Sequence, residues 1–336
     1  MFERYSRQIL FPYIGKEGQE KLAKKKALVV GAGALGTVVC NHLVRSGVGY
    51  VKIVDRDYVE KSNLQRQMLF DEDDAENALP KAIAAERKLK KINSDVTVEA
   101  HVLDVTSENI EALASGVDIV LDGTDNFETR FLLNDICFKK GIPYVYGGIV
   151  ASRGMSAMFL PGKTPCLRCF FQEGETAGET CDTVGVISSI VDIIASLEVV
   201  EALKYLVGDM ENIRHSLFSI DIWQFYSHEM HFPMPNSDCP TCAKKQYPAL
   251  RKRLDQQAVS LCGRDTVQIY AKTSFDLKEW AEKLQNVLNV QLTPFLLRAE
   301  TADGFKLVLF PDGRVLVQGT EDVSVARTIC AKYIGL

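Results

Sequence analysis

"KALVVGAGALG", residues 26–36, is a run of apolar residues that leads directly into three glycines. An apolar run of this length predicts a buried strand, and Gly31, Gly33 and Gly36 predict a tight turn that opens a helix. The free amide groups at the start of such a helix can bind an anion. The stretch therefore predicts a strand, a phosphate-binding turn and a helix in succession.

Strand and helix patterns alternate after this stretch. Apolar runs typical of strands lie at residues 50–55, 96–102, 117–123 and 142–148, and helical patterns lie at 80–93 and 126–141. Strands separated by helices favour a Rossmann-like α/β fold, with a doubly wound and mostly parallel sheet. The next run, residues 150–162, follows a strand with no helix between them, which predicts an antiparallel extension and so a mixed sheet.

The polar and basic segment "AKKQYPALRKR", residues 243–253, predicts a linker between two domains. The first domain, residues 1–243, contains the motifs described below. The second, residues 250–336, has strand and helix patterns typical of a small α+β appendage, and its residues indicate no chemistry. Within the first domain, the acidic run at residues 71–78 is expected to be a solvated loop.

Composition excludes several kinds of partner. With 336 residues, 46% of them hydrophobic, and a net charge of −5, the chain can bury a large core but lacks a basic field for nucleic acid or anionic lipid. The apolar stretch at 184–208 contains four charged residues, which predicts a core helix rather than a membrane span. The N-terminus is charged from residue 3 and has no apolar signal core, so we expect a cytoplasmic protein.

A polar cluster follows the second predicted strand. Asp55 ends that strand, where a carboxylate can accept hydrogen bonds from the hydroxyls of a ribose. Asn63, Gln65 and Arg66 come shortly afterwards. A dinucleotide used for hydride transfer does not require them, whereas a triphosphate needs donors and positive charge. Nucleotide binding is therefore favoured over a purely structural glycine turn, and a nicotinamide-dependent oxidoreductase is the alternative.

The ordered motifs "RYSRQ", "GAGALG", "DRDYVEKSNLQRQ", "LPKA" and "DGTDNFETR", with two Cys-x-x-Cys pairs, span roughly residues 3–243. In this order they resemble the ubiquitin-activating-like adenylyltransferases of sulfur-carrier proteins, the ThiF/MoeB type. The resemblance implies attack of the C-terminal glycine carboxylate of a small ubiquitin-like carrier on the α-phosphate of ATP. Pyrophosphate would leave, and an acyl-adenylate would remain.

The resemblance also implies roles for individual residues. By position, the nucleotide and its phosphates would contact Gly31, Gly33, Gly36, Asp55, Asp57, Asn63, Arg66, Gln67, Lys81, Asp125 and Asn126. Asp125 would hold Mg²⁺, and Arg7 would reach in from the other subunit of a homodimer. Arg7, Arg66, Lys81 and Asp125 would be catalytic. The alternatives are a surface arginine at position 7, a solvated lysine at position 81 and a helix cap at position 125.

Cysteines supply the second predicted site. Cys166 and Cys169 form one Cys-x-x-Cys pair, and Cys239 and Cys242 form another. Two such pairs can hold a tetrahedral structural zinc ion through four thiolates. Two separate redox pairs are the alternative, but neither pair lies in the strand-to-helix context of a thioredoxin-like motif.

Cys181 lies in "GETCDTVG", just before the long apolar helix. A thiolate near a helix N-terminus can attack an activated acyl group. The resemblance to thiamine-pathway enzymes implies that this cysteine becomes linked to the carrier, whereas molybdopterin-pathway relatives have a cysteine there without clear need of it. Both possibilities stay open. The remaining cysteines, Cys40, Cys137, Cys262 and Cys330, lie in helix or strand patterns and are expected to pack in the core.

The resemblance is strongest to thiamine-type enzymes of Gram-positive bacteria, which implies a carrier that ends in Gly-Gly and serves thiazole synthesis. The small subunit of molybdopterin synthase is the alternative carrier. The segment around Cys262, "LCGRDT", is not the active loop of a sulfurtransferase, so we expect a separate sulfur donor such as a cysteine desulfurase. A silent scaffold and an enzyme for a tRNA carboxylate are less favoured, because the cationic motif set is intact and no basic patch is present.

Overall fold

Eight strands of the first unit form one mixed sheet. They are β1 Lys26–Val30, β2 Tyr50–Asp55, β3 Thr97–Val102, β4 Ile119–Asp122, β5 Tyr144–Val150, β6 Arg153–Phe159, β7 Ser216–Asp221 and β8 Tyr226–His231. Their order is β3-β2-β1-β4-β5-β6-β7-β8, parallel from β3 to β5 and antiparallel from β5 to β8. The predicted mixed sheet with an antiparallel extension is confirmed.

The structure is a computed structural model that describes residues 3–172, 184–251, 258–261, 265–271 and 273–336. Cys181 and Cys262 lie outside the described residues. The chain divides into two compact units, Met1–Arg253 and Leu254–Leu336.

Helices cover both faces of the first sheet. They are α1 Ser6–Ile9, α2 Gly15–Leu22, α3 Ala34–Ser46, α4 Glu72–Glu76, α5 Lys81–Ile92, α6 Ile110–Leu113, α7 Phe127–Lys140 and α8 Ser188–Val207. Because strand side chains alternate between faces, Val29 packs with α3, α5 and α8, and Val30 packs with α6 and α7. Within the part of the chain that the structure describes, no helix is long and apolar enough to cross a bilayer.

The acidic run is a helix over most of its length, so the prediction of a solvated loop is wrong. Asp71 and Asp74 cap α4 reciprocally: Asp71 Oδ1 accepts from the Asp74 amide at 3.1 Å, and Asp74 Oδ2 accepts from the Asp71 amide at 3.0 Å. Lys88 of α5 forms ion pairs with both carboxylates. The helix thus depends on a capping box and on a lysine 14 or more positions away in the sequence.

The second unit has its own sheet and core. Its strands are β9 Ala258–Leu261, β10 Thr266–Tyr270, β11 Asn289–Leu292, β12 Leu297–Glu300, β13 Lys306–Leu309 and β14 Arg314–Gln318, and its helices are α9 Leu277–Leu284 and α10 Val323–Tyr333. The strand order is β11-β12-β13-β14-β10-β9, antiparallel throughout. Part of the segment predicted as a linker, Pro248–Arg251, is a 3-10 helix in the first unit.

The order of the first sheet determines where a ligand can bind. The chain leaves β1 toward β2 and β3 on one side of the sheet, and it leaves the neighbouring β4 toward β5 on the other side. Ligands of open α/β sheets bind beyond the carboxyl ends of the strands at such a switch point. The last residues of β1 and β4, Val30 and Asp122, are directly paired, so the loops after these two strands lie side by side.

Candidate functional site: a nucleotide pocket and a four-cysteine centre

The glycine turn after β1 is packed against the loop after β4. Gly31 has a φ of +93°, in the region that favours glycine. A Cβ at Gly36 would overlap the carbonyl oxygen of Gly31, and a Cβ at Gly31 would overlap that of Gly123. Gly33 differs, because the nearest heavy atom to its Cβ position is Gly123 O at 3.8 Å. Two glycines are therefore required by packing, and the third borders open space.

Asp55 joins the end of β2 to this turn. Its Oδ2 accepts from the Ala32 amide at 2.6 Å, and its Oδ1 accepts from the Asp57 amide at 2.7 Å. Burial raises the pKa of Asp55, and the charge of Lys81 opposes this rise. Each carboxylate oxygen has a second lone pair available for a ligand hydroxyl.

Lys81 begins α5 and is buried rather than solvated. Its Nζ lies 3.3 Å from Asp57 Oδ2, and its amide donates to the Asp57 carbonyl at 2.9 Å. The preceding Pro80 occupies the N-cap position of the helix. An ammonium group is thus held close to the segment that follows β2.

Asn63, Arg66 and Gln67 lie on the next turn of chain. The buried Asn63 accepts from the Glu60 amide through Oδ1 at 3.1 Å, and the half-buried Arg66 donates from Nη1 to Ser62 O at 2.9 Å. Gln67 is buried, and its Oε1 has no hydrogen-bond partner among the described residues. A buried acceptor without a partner is costly, so a bound donor would relieve it.

Asp125 follows β4 in the loop that faces the glycine turn. Its side chain is exposed. The cap of α7 is Asn126, whose Oδ1 accepts from the Thr129 amide at 2.9 Å, so the alternative of a cap at position 125 is wrong. Asn126 Nδ2 also donates to Asp125 Oδ1 at 3.3 Å.

Two buried residues beneath this loop, Asp122 and Arg130, were not predicted as part of the site. Asp122, the last residue of β4, is fully buried and accepts from the Thr124 amide at 2.9 Å. Arg130 of α7 is also buried, and its Nε lies 3.4 Å from Asp122 Oδ2. They are the first and last residues of the motif "DGTDNFETR", and this pair of opposite charges could have indicated an ion pair.

Arg7 lies far from the glycine turn of its own chain. It is exposed on α1, and Gln8 of the same helix donates from Nε2 to Ser46 O at 2.9 Å. Ser46 is the last residue of α3, whereas the glycine turn is at the first residue. The 13 residues of α3 separate the two ends, which at 1.5 Å per residue is about 20 Å.

The two Cys-x-x-Cys pairs meet as predicted. The four sulfur atoms of Cys166, Cys169, Cys239 and Cys242 lie within 4.8 Å of one another. Cys166 Sγ and Cys239 Sγ are 3.5 Å apart, as are Cys169 Sγ and Cys242 Sγ. Sulfurs at tetrahedral positions about 2.3 Å from zinc lie about 3.8 Å apart. The donor set and the spacing therefore fit a structural zinc ion.

Asp135 of α7 connects both cysteine pairs to the helix. This buried carboxylate pairs with Arg168 Nε at 3.0 Å and accepts from Thr241 Oγ1 at 2.5 Å. Arg168 and Thr241 are central residues of the two Cys-x-x-Cys pairs. Asp135 also accepts from the Ala249 amide at 2.8 Å. No local pattern indicates this role for Asp135, because its partners are distant along the chain.

Other cysteines of the described residues pack in cores. Cys40, Cys137 and Cys330 are buried, and burial raises the pKa of each thiol, to about 12 for Cys330. Thiols of this kind are unreactive.

Comparison with known proteins assigns the chain to a family. The model of the ThiF family matches residues 5–241. The chain belongs to the ThiF family. The resemblance of its ordered motifs is thus confirmed, and the family match includes the nucleotide pocket and three cysteines of the four-cysteine centre.

Several known proteins are similar to most or all of the chain. The sulfur carrier protein ThiS adenylyltransferase of Bacillus subtilis is 47% identical over 339 residues, covering 100% of both chains. The sulfur carrier protein adenylyltransferase of Thermus thermophilus is 37% identical and covers 78% of this chain and 96% of its own. The crystal structure of E. coli MccB with ATP has a TM-score of 0.62 at 24% identity, covering 71% of this chain and 73% of that chain, and supports the fold alone.

Proposed function

We propose that this protein uses ATP to adenylylate the C-terminal glycine carboxylate of a ubiquitin-like sulfur carrier protein that ends in Gly-Gly. The product is prepared for thiocarboxylate formation in thiamine thiazole biosynthesis. The observation that carries the proposal is the full-length match to a relative named sulfur carrier protein ThiS adenylyltransferase, which includes both units of the chain. The pocket geometry supports it independently.

The pocket has the groups that an ATP site needs. Asp55 accepts from the ribose, and the open space at Gly33 admits the nucleotide to the amides that begin α3. The unpartnered Gln67 Oε1 is available to a donor on the ligand. Asn63, Arg66 and Lys81 contact the phosphates. A dinucleotide used for hydride transfer does not require Asn63, Arg66 and Lys81 together, whereas a triphosphate does, so an oxidoreductase is disfavoured.

The reaction joins two anions, and the protein must reduce their repulsion. The carrier carboxylate forms a bond to the α-phosphorus as the bond to the β-phosphate oxygen breaks, and pyrophosphate leaves. Lys81 and Arg66 neutralise phosphate charge and fix the line of attack. The exposed carboxylate of Asp125 is a suitable ligand for Mg²⁺, which supplies further neutralisation when bound.

Arg7 acts in the pocket of a second copy, which makes the enzyme a homodimer. The distance along α3 supports this, because Arg7 of the same chain is held at the far end of that helix. Leu10, Phe11 and Tyr13 follow α1 and are 70%, 52% and 61% exposed. Exposed large apolar side chains beside a functional cation are typical of an interface.

The four-cysteine centre holds zinc, which ties the antiparallel extension to the later part of the first unit. The spacing of the four sulfurs supports this role. We also propose a cytoplasmic location, where thiols stay reduced. Cys181 is proposed to accept the carrier covalently, with sulfur supplied by a separate donor such as a cysteine desulfurase.

The same reaction on the molybdopterin synthase small subunit is the second candidate. It is favoured by relatives named adenylyltransferase and sulfurtransferase MOCS3, of which that of Culex quinquefasciatus is 31% identical and covers 92% of this chain and 70% of its own.

ATP–pyrophosphate exchange, assayed with each purified carrier, tests the proposal. We expect exchange with the thiamine carrier, at a rate well above that with the molybdopterin carrier. Arg66→Ala and Asp125→Ala should abolish exchange, whereas Lys61→Ala, an exposed cation on the same turn, should not. Exchange that survives both substitutions, or that occurs with neither carrier, contradicts the proposal. Mass spectrometry after addition of carrier, ATP and sulfur donor tests for an adduct at Cys181.

A further inference from the structure

Arg130 connects two backbone segments beneath the pocket. From one nitrogen, Nη2, it donates to Thr124 O at 2.8 Å and to Gly147 O at 3.2 Å. Its guanidinium lies over the rings of Phe127 and Tyr146, at 5.0 and 5.3 Å from their centres. A guanidinium that contacts two rings and is hydrogen-bonded at its tip has little freedom to move.

Asp122 holds the same loop residue from the other side. Its Oδ1 accepts from both the amide and the hydroxyl of Thr124, at 2.9 and 2.6 Å. Its Oδ2 accepts from Tyr144 OH at 2.5 Å and lies 3.4 Å from Arg130 Nε. Thr124 is thus held at its amide by Asp122 and at its carbonyl by Arg130.

Thr124 directly precedes Asp125, whose orientation depends on the peptide between them. Residues in regular structure hold both ends of the loop, since Asp122 ends β4 and Asn126 caps α7. The ion pair between Asp122 and Arg130 is buried beneath this loop, with side chains that are 0% and 8% exposed. A role in stability alone is a weak explanation, because the cost of burying two charges offsets much of their attraction.

Glu198 of α8 lies beside Gly147, the second residue whose carbonyl accepts from Arg130. A Cβ at Gly147 would overlap its carboxylate, and neither of its oxygens has a hydrogen-bond partner among the described residues. It does not contact Thr124 by any hydrogen bond that the structure describes. Glu198 therefore belongs to the same buried region and provides a matched control.

We propose that Arg130, with Asp122 as its counter-ion, is a positioning residue that orients Asp125 for the adenylylation reaction. This inference rests on the proposed function, in which Asp125 holds Mg²⁺. The proposed role requires no contact between Arg130 and the substrate or the metal. Arg130 acts by fixing the Thr124 peptide, and a misplacement of about 1 Å at a reacting group can reduce the rate about 100-fold.

The test measures ATP–pyrophosphate exchange against Mg²⁺ concentration in Arg130→Met, Arg130→Lys and Asp122→Asn, together with zinc content and thermal unfolding. Met keeps a long apolar side chain beside the two rings but has no donor, and Lys keeps the charge but cannot make the same set of hydrogen bonds. We expect each folded variant to need severalfold more Mg²⁺ for half-maximal exchange, and Arg130→Met to lose about 100-fold in rate. Zinc content should be unchanged in a folded variant, because the contacts between α7 and the cysteine centre are made by Asp135 and not by Arg130.

Two further variants separate the inference from the proposed function. Glu198→Gln should exchange at the wild-type rate and with the wild-type Mg²⁺ dependence. If Asp125→Ala keeps exchange, the role of Asp125 is wrong, whatever Arg130 does. If Asp125→Ala loses exchange while a folded Arg130 or Asp122 variant keeps the wild-type Mg²⁺ dependence, the inference is overturned and the proposed function stands. Should Arg130→Met fail to fold, Arg130→Lys and Asp122→Asn decide the question by the same measurement.

Discussion

Lys81 Nζ lies 3.3 Å from Asp57 Oδ2, and the lysine side chain is only 5% exposed. Transfer of an ammonium group from water to such a place is unfavourable without a counter-ion. Asp57 supplies that counter-ion, and its carbonyl also accepts from the Lys81 amide. The start of α5 is therefore joined twice to the chain that follows β2, and a cation is fixed beside the proposed phosphate site before any ligand binds.

Replacement of Lys81 by Met should reduce ATP–pyrophosphate exchange by about 100-fold or more, since removal of one preorganised charge from a site of this kind has that effect. Steady-state exchange rates with the carrier check it. Lys88→Met is the control, because Lys88 lies on the same helix and pairs with Asp71 and Asp74 of α4. That variant should lose some thermal stability but keep exchange. Equal losses of exchange in both would argue against a phosphate role for Lys81.

Gly36 and Gly33 should respond differently to Ala. The added Cβ at Gly36 would overlap the Gly31 carbonyl oxygen, so Gly36→Ala should unfold at a much lower temperature or fail to accumulate. At Gly33 the added atom has space and φ is −82°, so the protein should fold. Its KM for ATP should rise, because the methyl group enters the space assigned to the nucleotide. An unchanged KM in Gly33→Ala would mean that the nucleotide does not approach this turn.

Helices and strands whose formation depends mainly on residues close together in the sequence could be predicted from local patterns. The strand, glycine turn and helix from Lys26 to Ser46 follow from an apolar run and glycine spacing. The cysteine centre followed from spacing alone. By contrast, the strands Asn289–Leu292 and Leu297–Glu300 are four residues long and were not predicted, because runs this short carry too little alternation.

Burial of charged residues could not be predicted, because it depends on partners far away in the sequence. Asp122 lies near the end of the predicted strand run 117–123, and nothing in that run indicates that its carboxylate is buried, yet Tyr144 and Arg130 contact it. From the sequence alone, Lys81 could be a solvated helix residue, but in the structure it is buried and paired with Asp57. The helix in the acidic run likewise depends on Lys88. In each case a tertiary contact outweighs the local preference.

Asp135→Asn should weaken zinc retention. The amide keeps the size of the carboxylate but removes its charge from beside the guanidinium of Arg168, and Arg168 lies between Cys166 and Cys169. Loss of a group that orients metal ligands typically costs 10–100-fold in affinity. Transfer of zinc to a chromogenic chelator should therefore be faster than in wild type. Asp118→Asn, which removes a more exposed partner of Lys25, should transfer zinc at the wild-type rate. Equal rates in all three proteins, or no zinc in any, would refute the expectation.

Glu198→Gln should stabilise the first unit at neutral pH. Burial, reinforced by the charge of Asp122, raises the pKa of Glu198 well above its usual value near 4.5. The folded protein therefore keeps the proton on Glu198 where the unfolded chain releases it. In wild type this contribution to stability is complete below pH 4.5 and is lost as pH rises toward the folded-state pKa, by up to about 1.4 kcal/mol per pH unit. Glutamine has no proton to lose.

The urea midpoints of both proteins, read from hydrogen exchange of peptides that cover α8, should therefore nearly coincide at pH 5 and separate as pH rises to 8. Asp55 and Asp122, whose pKa values burial also raises, remain in both proteins, so the titrating group that differs between the two is Glu198. A difference that is constant across this range would mean that Glu198 is ionised in the folded protein.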